Sequence, residues 1–202
     1  MKYFIIGMHC SGKQEVADHL EKLGINCGRL FSNIDSPSPK IYNSLNYELF
    51  TTQDVIEVFE NNAYIFIQEF PEPELLSISS SNTWHEGLTK YEFDNNDVFV
   101  ISPDQLFSIS PTMIKEDVCF VWLDNTKQER LNRYYTEKRS YNFSTRETIE
   151  KKDESSFVQV LYDFNKSKVL YFTNEEPMRV AAVIYSVIKH PELLKLYTEA
   201  YN

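Results

Sequence analysis

The chain has 202 residues, of which 42% are hydrophobic and 14% aromatic, enough for a sizeable core in one α/β domain with a small inserted lobe. A net charge of −10 disfavours general binding to nucleic acid or to an anionic membrane surface, and no apolar run approaches the ~20 residues of a bilayer span. Three widely spaced cysteines and no signal peptide predict a cytoplasmic protein with reduced thiols.

The N-terminal strand and the loop after it are the most informative stretch. Tyr3–Ile6 is an apolar run typical of a buried strand, the loop GMHCSGKQ spans Gly7–Gln14, and Glu15–Leu23 has helical periodicity. The two glycines of the loop let backbone N–H groups approach phosphate oxygens, and Lys13 can reach the outer phosphates of a nucleotide. The helix N-terminus adds its positive dipole end. The stretch therefore predicts a phosphate-binding P-loop that uses ATP.

The residues of this loop differ in what they can contribute. Gln14 stands where Ser or Thr would offer a hydroxyl to Mg²⁺, so either its amide oxygen does this, water does it, or turnover is weak. His9 faces the nucleotide or the solvent, and Cys10 is interpreted as loop filler. The predicted cofactor-binding residues are Gly7, His9, Cys10, Ser11, Gly12, Lys13 and Gln14.

The next elements alternate between extended and helical patterns. We predict a weak strand over Ile25–Phe31, a loop over Asn33–Lys40, a helix from Thr51 or Thr52 to Asn61, a strand over Ala63–Gln68 and a connection over Pro71–Asn82. Capping-box patterns at Thr83 and Ser144 predict helices that run to about Asn95 and Leu161.

Three further apolar runs complete the pattern. Val98–Ile101, Val118–Leu123 and Val169–Phe172 are predicted to be buried strands, and helices are predicted over Asp104–Ile109, Thr126–Lys138, Pro177–Lys189 and the tail after Pro191. This alternation predicts an α/β fold with a mainly parallel sheet covered on both faces.

A basic cluster lies downstream in this otherwise acidic chain. Arg130 and Arg133 share one helix face, and Arg139 and Arg146 follow. Guanidinium groups stabilise the charge that develops on a transferred phosphoryl group, so the cluster is either a polyphosphate clamp or a solvated helix. Asp124 ends a strand, where it either holds magnesium or caps the next helix.

The order of these parts resembles the P-loop nucleoside monophosphate kinases, most of all guanylate kinase. GMHCSGKQ is similar to the ATP loop of that family, and NYELFTTQDVIEVFENN (Asn46–Asn62) to the start of its acceptor-binding lobe. NNDVFVISPDQ (Asn95–Gln105) is similar to the strand before its acceptor-site aspartate, and FVWLDNTKQERLNRYYTEKR (Phe120–Arg139) to its strand and arginine-bearing lid.

The resemblance implies a fold and a set of site residues. The fold would be a three-layer P-loop NTPase domain with a five-stranded parallel sheet, a core over 1–32 and 95–202, an acceptor lobe over about 33–94 and a lid over about 130–146. The implied catalytic residues are Lys13, Arg130, Arg133 and Arg139. The implied acceptor residues are Arg29, Tyr47, Glu69, Thr83 and Asp104, and the implied Mg²⁺ ligands are Gln14 and Asp124.

Three hypotheses follow for function. The first is ATP-dependent phosphoryl transfer to a nucleoside monophosphate by a monomer or homodimer. The second is a catalytically weak or inactive guanylate-kinase-like module, because the segment 33–46 has no arginine where the family holds the acceptor phosphate, and Phe66 stands where an acid is usual. The third is a nucleoside kinase, which would need a carboxylate base beside a sugar hydroxyl.

Overall fold

The computed structural model of the protein describes residues 1–33, 47–70, 84–114, 117–137, 143–144, 147–148, 168–173 and 175–199. The strands are β1 (Lys2–Gly7), β2 (Cys27–Gly28), β3 (Leu30–Ser32), β4 (Tyr47–Leu49), β5 (Tyr64–Phe70), β6 (Trp84–Thr89), β7 (Val98–Ile101), β8 (Val118–Asp124) and β9 (Lys168–Thr173). The helices are α1 (Lys13–Lys22), α2 (Thr52–Glu60), α3 (Lys90–Asn95), α4 (Pro103–Phe107), α5 (Lys127–Thr136), α6 (Pro177–Lys189) and α7 (Leu193–Glu199).

The central sheet is parallel and has the order β2-β7-β1-β8-β9. β1 lies in the middle, where Ile5 pairs with Val100 on one side and with Val121 on the other. Its whole length is buried, because helices or a second sheet cover both faces. The prediction of an α/β fold with a five-stranded parallel sheet is therefore confirmed.

Alternate residues of β1 supply two separate cores. Tyr3 and Ile5 pack on one face with the apolar sides of α1, α6 and α7. Phe4 and Ile6 pack on the other face with β3, β5, β6, α3 and α4. Phe4 lies within ring-centroid distances of 5.5 Å of Phe99 and 5.9 Å of Phe120. Successive side chains of a strand point to opposite faces of the sheet. The one apolar run of β1 therefore contributes to a core on each face, and the fold has three layers.

The second sheet has the order β4-β3-β6-β5. The predicted strand over Ile25–Phe31 divides at Arg29, so that β2 joins the central sheet and β3 joins the second one. The prediction of a helix opening at Thr83 is wrong for 84–89, which is the strand β6. This segment pairs with β3 and β5, and Gly87 is required within it, since a Cβ there would lie 2.5 Å from the carbonyl oxygen of Phe66 on β5. Only a glycine lets the two backbones approach so closely.

Threonine side chains begin three of the helices. Thr51, Thr89 and Thr126 each accept a hydrogen bond from the backbone N–H three residues later. The predicted capping role of Ser144 is wrong, because Phe143 and Ser144 are both already helical. No helix in the part of the chain that the structure describes is long and apolar enough to cross a lipid bilayer. The division into core, lobe and lid stays a prediction.

Candidate functional site

The carboxyl ends of three neighbouring strands define one edge of the central sheet. β1 ends at Gly7, β8 at Asp124 and β7 at Ile101, and β1 lies between the other two. Ligands of open α/β sheets bind in the crevice outside these ends, where the connections of adjacent strands diverge. The loop Gly7–Gly12 occupies this crevice.

The loop turns tightly at two left-handed positions. Cys10 has φ 58° and Gly12 has φ 89°, and the Ser11 N–H donates to the Met8 carbonyl oxygen at 3.1 Å. Such a conformation lets successive N–H groups converge on an anion. A Cβ at Gly7 would lie 2.6 Å from the Ser11 hydroxyl oxygen and 2.8 Å from the Leu123 carbonyl oxygen. Both glycines of the loop are thus required by its geometry.

Lys13 lies over the loop that precedes it. It is the first residue of α1, and its ammonium group donates to the carbonyl oxygens of Gly7 and, at 2.9 Å, of Met8. The charge therefore sits against the loop backbone rather than in solvent. Lys13 is the residue that the sequence motif predicts to contact phosphate, and that role stays a prediction.

The side chains around Lys13 have specific contacts. The imidazole of His9 is buried and packs edge-on against Phe143, with ring centroids 4.3 Å apart. Ser11 is buried, and Cys10 is partly exposed. The Gln14 amide nitrogen donates to Asp18 at 2.8 Å, so the side chain follows the first turns of α1.

The two arginines of α5 have opposite surroundings. Arg130 is 3% exposed, and its Nη2 donates to Glu147 at 2.8 Å while its guanidinium lies 5.5 Å from the centre of the Phe143 ring. Lys127 also pairs with Glu147, at 2.7 Å. Arg133 instead forms an ion pair with Glu15 in the first turn of α1, beside Gly12 of the loop, and is 24% exposed. Of the predicted clamp, the structure therefore brings Arg133 to the loop.

Arg130 holds another part of the chain onto the loop. Phe143 and Glu147 both lie at helical positions, and Phe143 contacts both Arg130 and the loop residue His9. The sequence motif around Ser144 drew attention to Glu147, but as a capping residue. A buried carboxylate that pairs with an arginine 17 positions away has no local sequence signal. Arg139 lies outside the described residues.

Asp124 ends β8 beside the loop. It accepts a hydrogen bond from the Tyr171 hydroxyl of β9. The alternative that Asp124 caps the next helix is wrong, because Thr126 is the residue at that position. Among the residues that the structure describes, no three His, Cys, Asp or Glu side chains converge in a way that could hold a metal ion.

A polar network lies next to the carboxyl end of β7. Asp104 of α4 is buried and accepts from the Gln68 amide of β5 at 3.4 Å. The neighbouring Gln105 donates to Glu86 of β6 at 2.6 Å. These contacts join the second sheet to the edge that carries the loop. Asp104 was predicted, whereas the two glutamines were not, since glutamine has no distinctive spacing signal.

The other predicted acceptor residues are dispersed. Glu69 is exposed and pairs across the sheet with His85, while Tyr47 lies in the edge strand β4. Arg29 lines a surface groove with Asn95 and Asn96, which precede β7, so its described neighbours are at the opposite end of that strand from the loop. The structure does not bring these residues together with Asp104. Thr83 lies outside the described residues.

The five-stranded parallel sheet, with its flanking helices and the loop at its carboxyl edge, is similar in fold to a solved kinase structure. Guanylate kinase from Anaplasma phagocytophilum has a similar structure, with a TM-score of 0.52, 13% identity, and coverage of 96% of this chain and 86% of that one. At such low identity the likeness concerns the fold alone.

Weaker structural matches were also found. A shikimate kinase from Acinetobacter baumannii gives a TM-score of 0.42 at 13% identity over 95% of this chain and 94% of that one. A sugar kinase from a Janibacter species gives 0.41 at 13% identity over 96% of each chain. No protein-family model and no curated protein matches the sequence.

Proposed function

We propose that this protein catalyses ATP-dependent phosphoryl transfer to a nucleoside monophosphate. One observation carries the proposal: a glycine-bounded loop closes at the carboxyl end of β1, with Lys13 lying over it and Arg133 beside it. Backbone amides, an ammonium group and a guanidinium group are the groups that stabilise a transferred phosphoryl group. The guanylate-kinase-like order of the sequence motifs supports a nucleotide as the acceptor.

Binding of a triphosphate would redirect Lys13. Its ammonium now donates to the Gly7 and Met8 carbonyl oxygens, and phosphate oxygens would replace these acceptors. The loop amides would bind the inner phosphates. No general base is needed, since an acceptor phosphate is already ionised at neutral pH.

The side chains near the loop fit a hard cation. Asp124 offers a carboxylate at the strand end, and Gln14 offers an amide oxygen, since its amide nitrogen is the atom that donates to Asp18. When bound, Mg²⁺ neutralises charge on the phosphate oxygens. Asp124 is oriented by the Tyr171 hydroxyl, so this tyrosine would position a metal ligand.

Calorimetry with ADP and ATP, together with a coupled assay for ADP release, tests the proposal. Lys13→Ala should weaken ADP binding by at least about tenfold, the range expected for a lost charge-assisted hydrogen bond. The matched control is Lys22→Ala, which removes an exposed lysine from the other end of the same helix. Absence of any nucleotide binding by the unmodified protein at millimolar concentration would overturn the proposal.

One contact favours the second hypothesis, a nucleotide-binding module with little turnover. The Gln14 side chain is engaged by Asp18 along the helix and not presented as a short hydroxyl. Such a module would bind ADP but would not phosphorylate any nucleoside monophosphate in the assay. If Gln14→Thr then produces turnover, the metal position is the limiting feature.

The network around Asp104 gives a reason to test the nucleoside kinase hypothesis as well. Gln68 and Gln105 join Asp104 and Glu86 near the loop, and carboxylates and amides are suited to hydroxyl groups or base edges. Phosphorylation of an unphosphorylated nucleoside in the same assay would favour that hypothesis. The monomeric or homodimeric state and the cytoplasmic location remain part of the proposal.

A further inference from the structure

Four elements meet at the backbone of Gly12. A Cβ placed on this glycine would lie 2.9 Å from Nη1 of Arg133, 3.0 Å from Oε2 of Glu15 and 3.2 Å from Cγ of Pro177. These side chains come from α5, α1 and α6. The Arg133–Glu15 ion pair therefore lies against the loop backbone at Gly12.

The pair is arranged so that one guanidinium can contact two anions. Arg133 offers five N–H donors in a planar fork, and its Nη1 donates to Glu15. The arginine is 24% exposed and the glutamate 47%, so the contact is accessible to a ligand at the loop. Glu15 lies in the first turn of α1, where the helix dipole favours a carboxylate.

A mobile arginine beside the loop would lose conformational freedom each time it contacted a phosphate. An exposed arginine side chain has many rotamers, so fixing it in one position costs conformational entropy. A carboxylate that already accepts a hydrogen bond from one guanidinium nitrogen restricts the arginine before the ligand binds. Less conformational entropy is then lost on binding, which is the general advantage of preorganisation.

We propose that Glu15 is a positioning residue for Arg133. Its carboxylate fixes the guanidinium against Gly12, so that the cation is in place beside the P-loop before the nucleotide phosphates bind. This role rests on the proposed nucleotide binding. The opposite role, in which Glu15 competes with phosphate for the arginine, predicts the reverse change in affinity.

Three variants separate these roles: Glu15→Gln, Arg133→Gln and the double variant. Positioning predicts that Glu15→Gln weakens ADP binding by about two- to fivefold, the range of an exposed ion pair. It also predicts that this loss disappears when Arg133 is already glutamine, so that Glu15→Gln then leaves ADP binding unchanged or tightens it. Removing a negative charge near an anion site would by itself tighten binding, so weaker binding cannot be a simple charge effect. Glu21→Gln, on the last turn of α1, is the matched control.

Nuclear magnetic resonance of the Arg133 guanidinium N–H groups supplies a readout that needs no nucleotide. The unmodified protein should give an ordered signal that becomes mobile in Glu15→Gln. Tighter or unchanged ADP binding in Glu15→Gln, additive effects in the double variant, or an unaltered Arg133 signal would each overturn the positioning role. If the unmodified protein binds no ADP, the proposed function fails, and the Arg133 signal still reports whether Glu15 holds the arginine.

Discussion

Replacement of Glu147 by leucine should be among the more destabilising single changes available in this protein. The substitution leaves Arg130, which is 3% exposed, without the carboxylate that it contacts at 2.8 Å. An unpaired buried charge of this kind typically costs about 3–5 kcal/mol. Loss of the Lys127 contact adds less than about 1 kcal/mol, because that lysine is 56% exposed.

The expected loss of stability is large enough to measure by urea unfolding and by thermal unfolding. For a chain of this length, each kcal/mol shifts the melting temperature by about 2–4 °C, so Glu147→Leu should lower it by about 6–20 °C. Glu147→Gln keeps an oxygen acceptor for Arg130, so it should lower the free energy of unfolding by only about 1–3 kcal/mol. Glu60→Gln, at an exposed position of α2, should stay within about 0.5 kcal/mol of the unmodified protein.

A paired replacement completes the test. Arg130→Met combined with Glu147→Leu removes both charges and should recover most of the stability that Glu147→Leu loses. The buried pairing is refuted if Glu147→Leu lowers the free energy of unfolding by less than about 1 kcal/mol while the slope of that free energy against urea concentration is unchanged. In that case Arg130 would have access to water or phosphate, as the lid interpretation of the sequence required.

Three further predictions concern backbone geometry and thiols. Gly12→Ala should abolish ADP binding, because its Cβ would meet Arg133 and Glu15, whereas Gly24→Ala should bind ADP normally, since it shares a positive φ but has open space around it. Burial raises the pKa of Cys27 and of Cys119 to about 12, so both thiols should resist iodoacetamide in the native state, while the partly exposed Cys10 reacts. The same shifts mean that the unfolded chain loses these two thiol protons first as the pH rises above about 9. Urea unfolding should therefore show stability falling between pH 9 and 10 by about 1.4 kcal/mol per pH unit for each thiol, and Cys27→Ala should remove one thiol's share of that slope.

The sheet and the loop were predictable because their signals are local. Strict apolar runs such as Tyr3–Ile6 mark strands that are buried on both faces, and a glycine-bounded loop with a lysine needs only eight consecutive residues to be recognised. β6 was not predictable in this way. The Thr83–Glu86 motif matches a helix cap, whereas β6 pairs with β3 and β5, strands that are distant in the sequence.

By itself, the sequence determined the parallel sheet, the placement of Lys13 and the helix that follows it, since each depends on the period of apolar residues or on the conformation of a few neighbours. Tertiary structure decided what the arginines do. Arg130 and Arg133 lie on one face of α5, yet one is buried against Glu147, 17 positions away, and the other contacts Glu15, 118 positions away. A charged side chain is stabilised by whichever counter-charge the fold brings beside it, and a helix pattern carries no information about that partner.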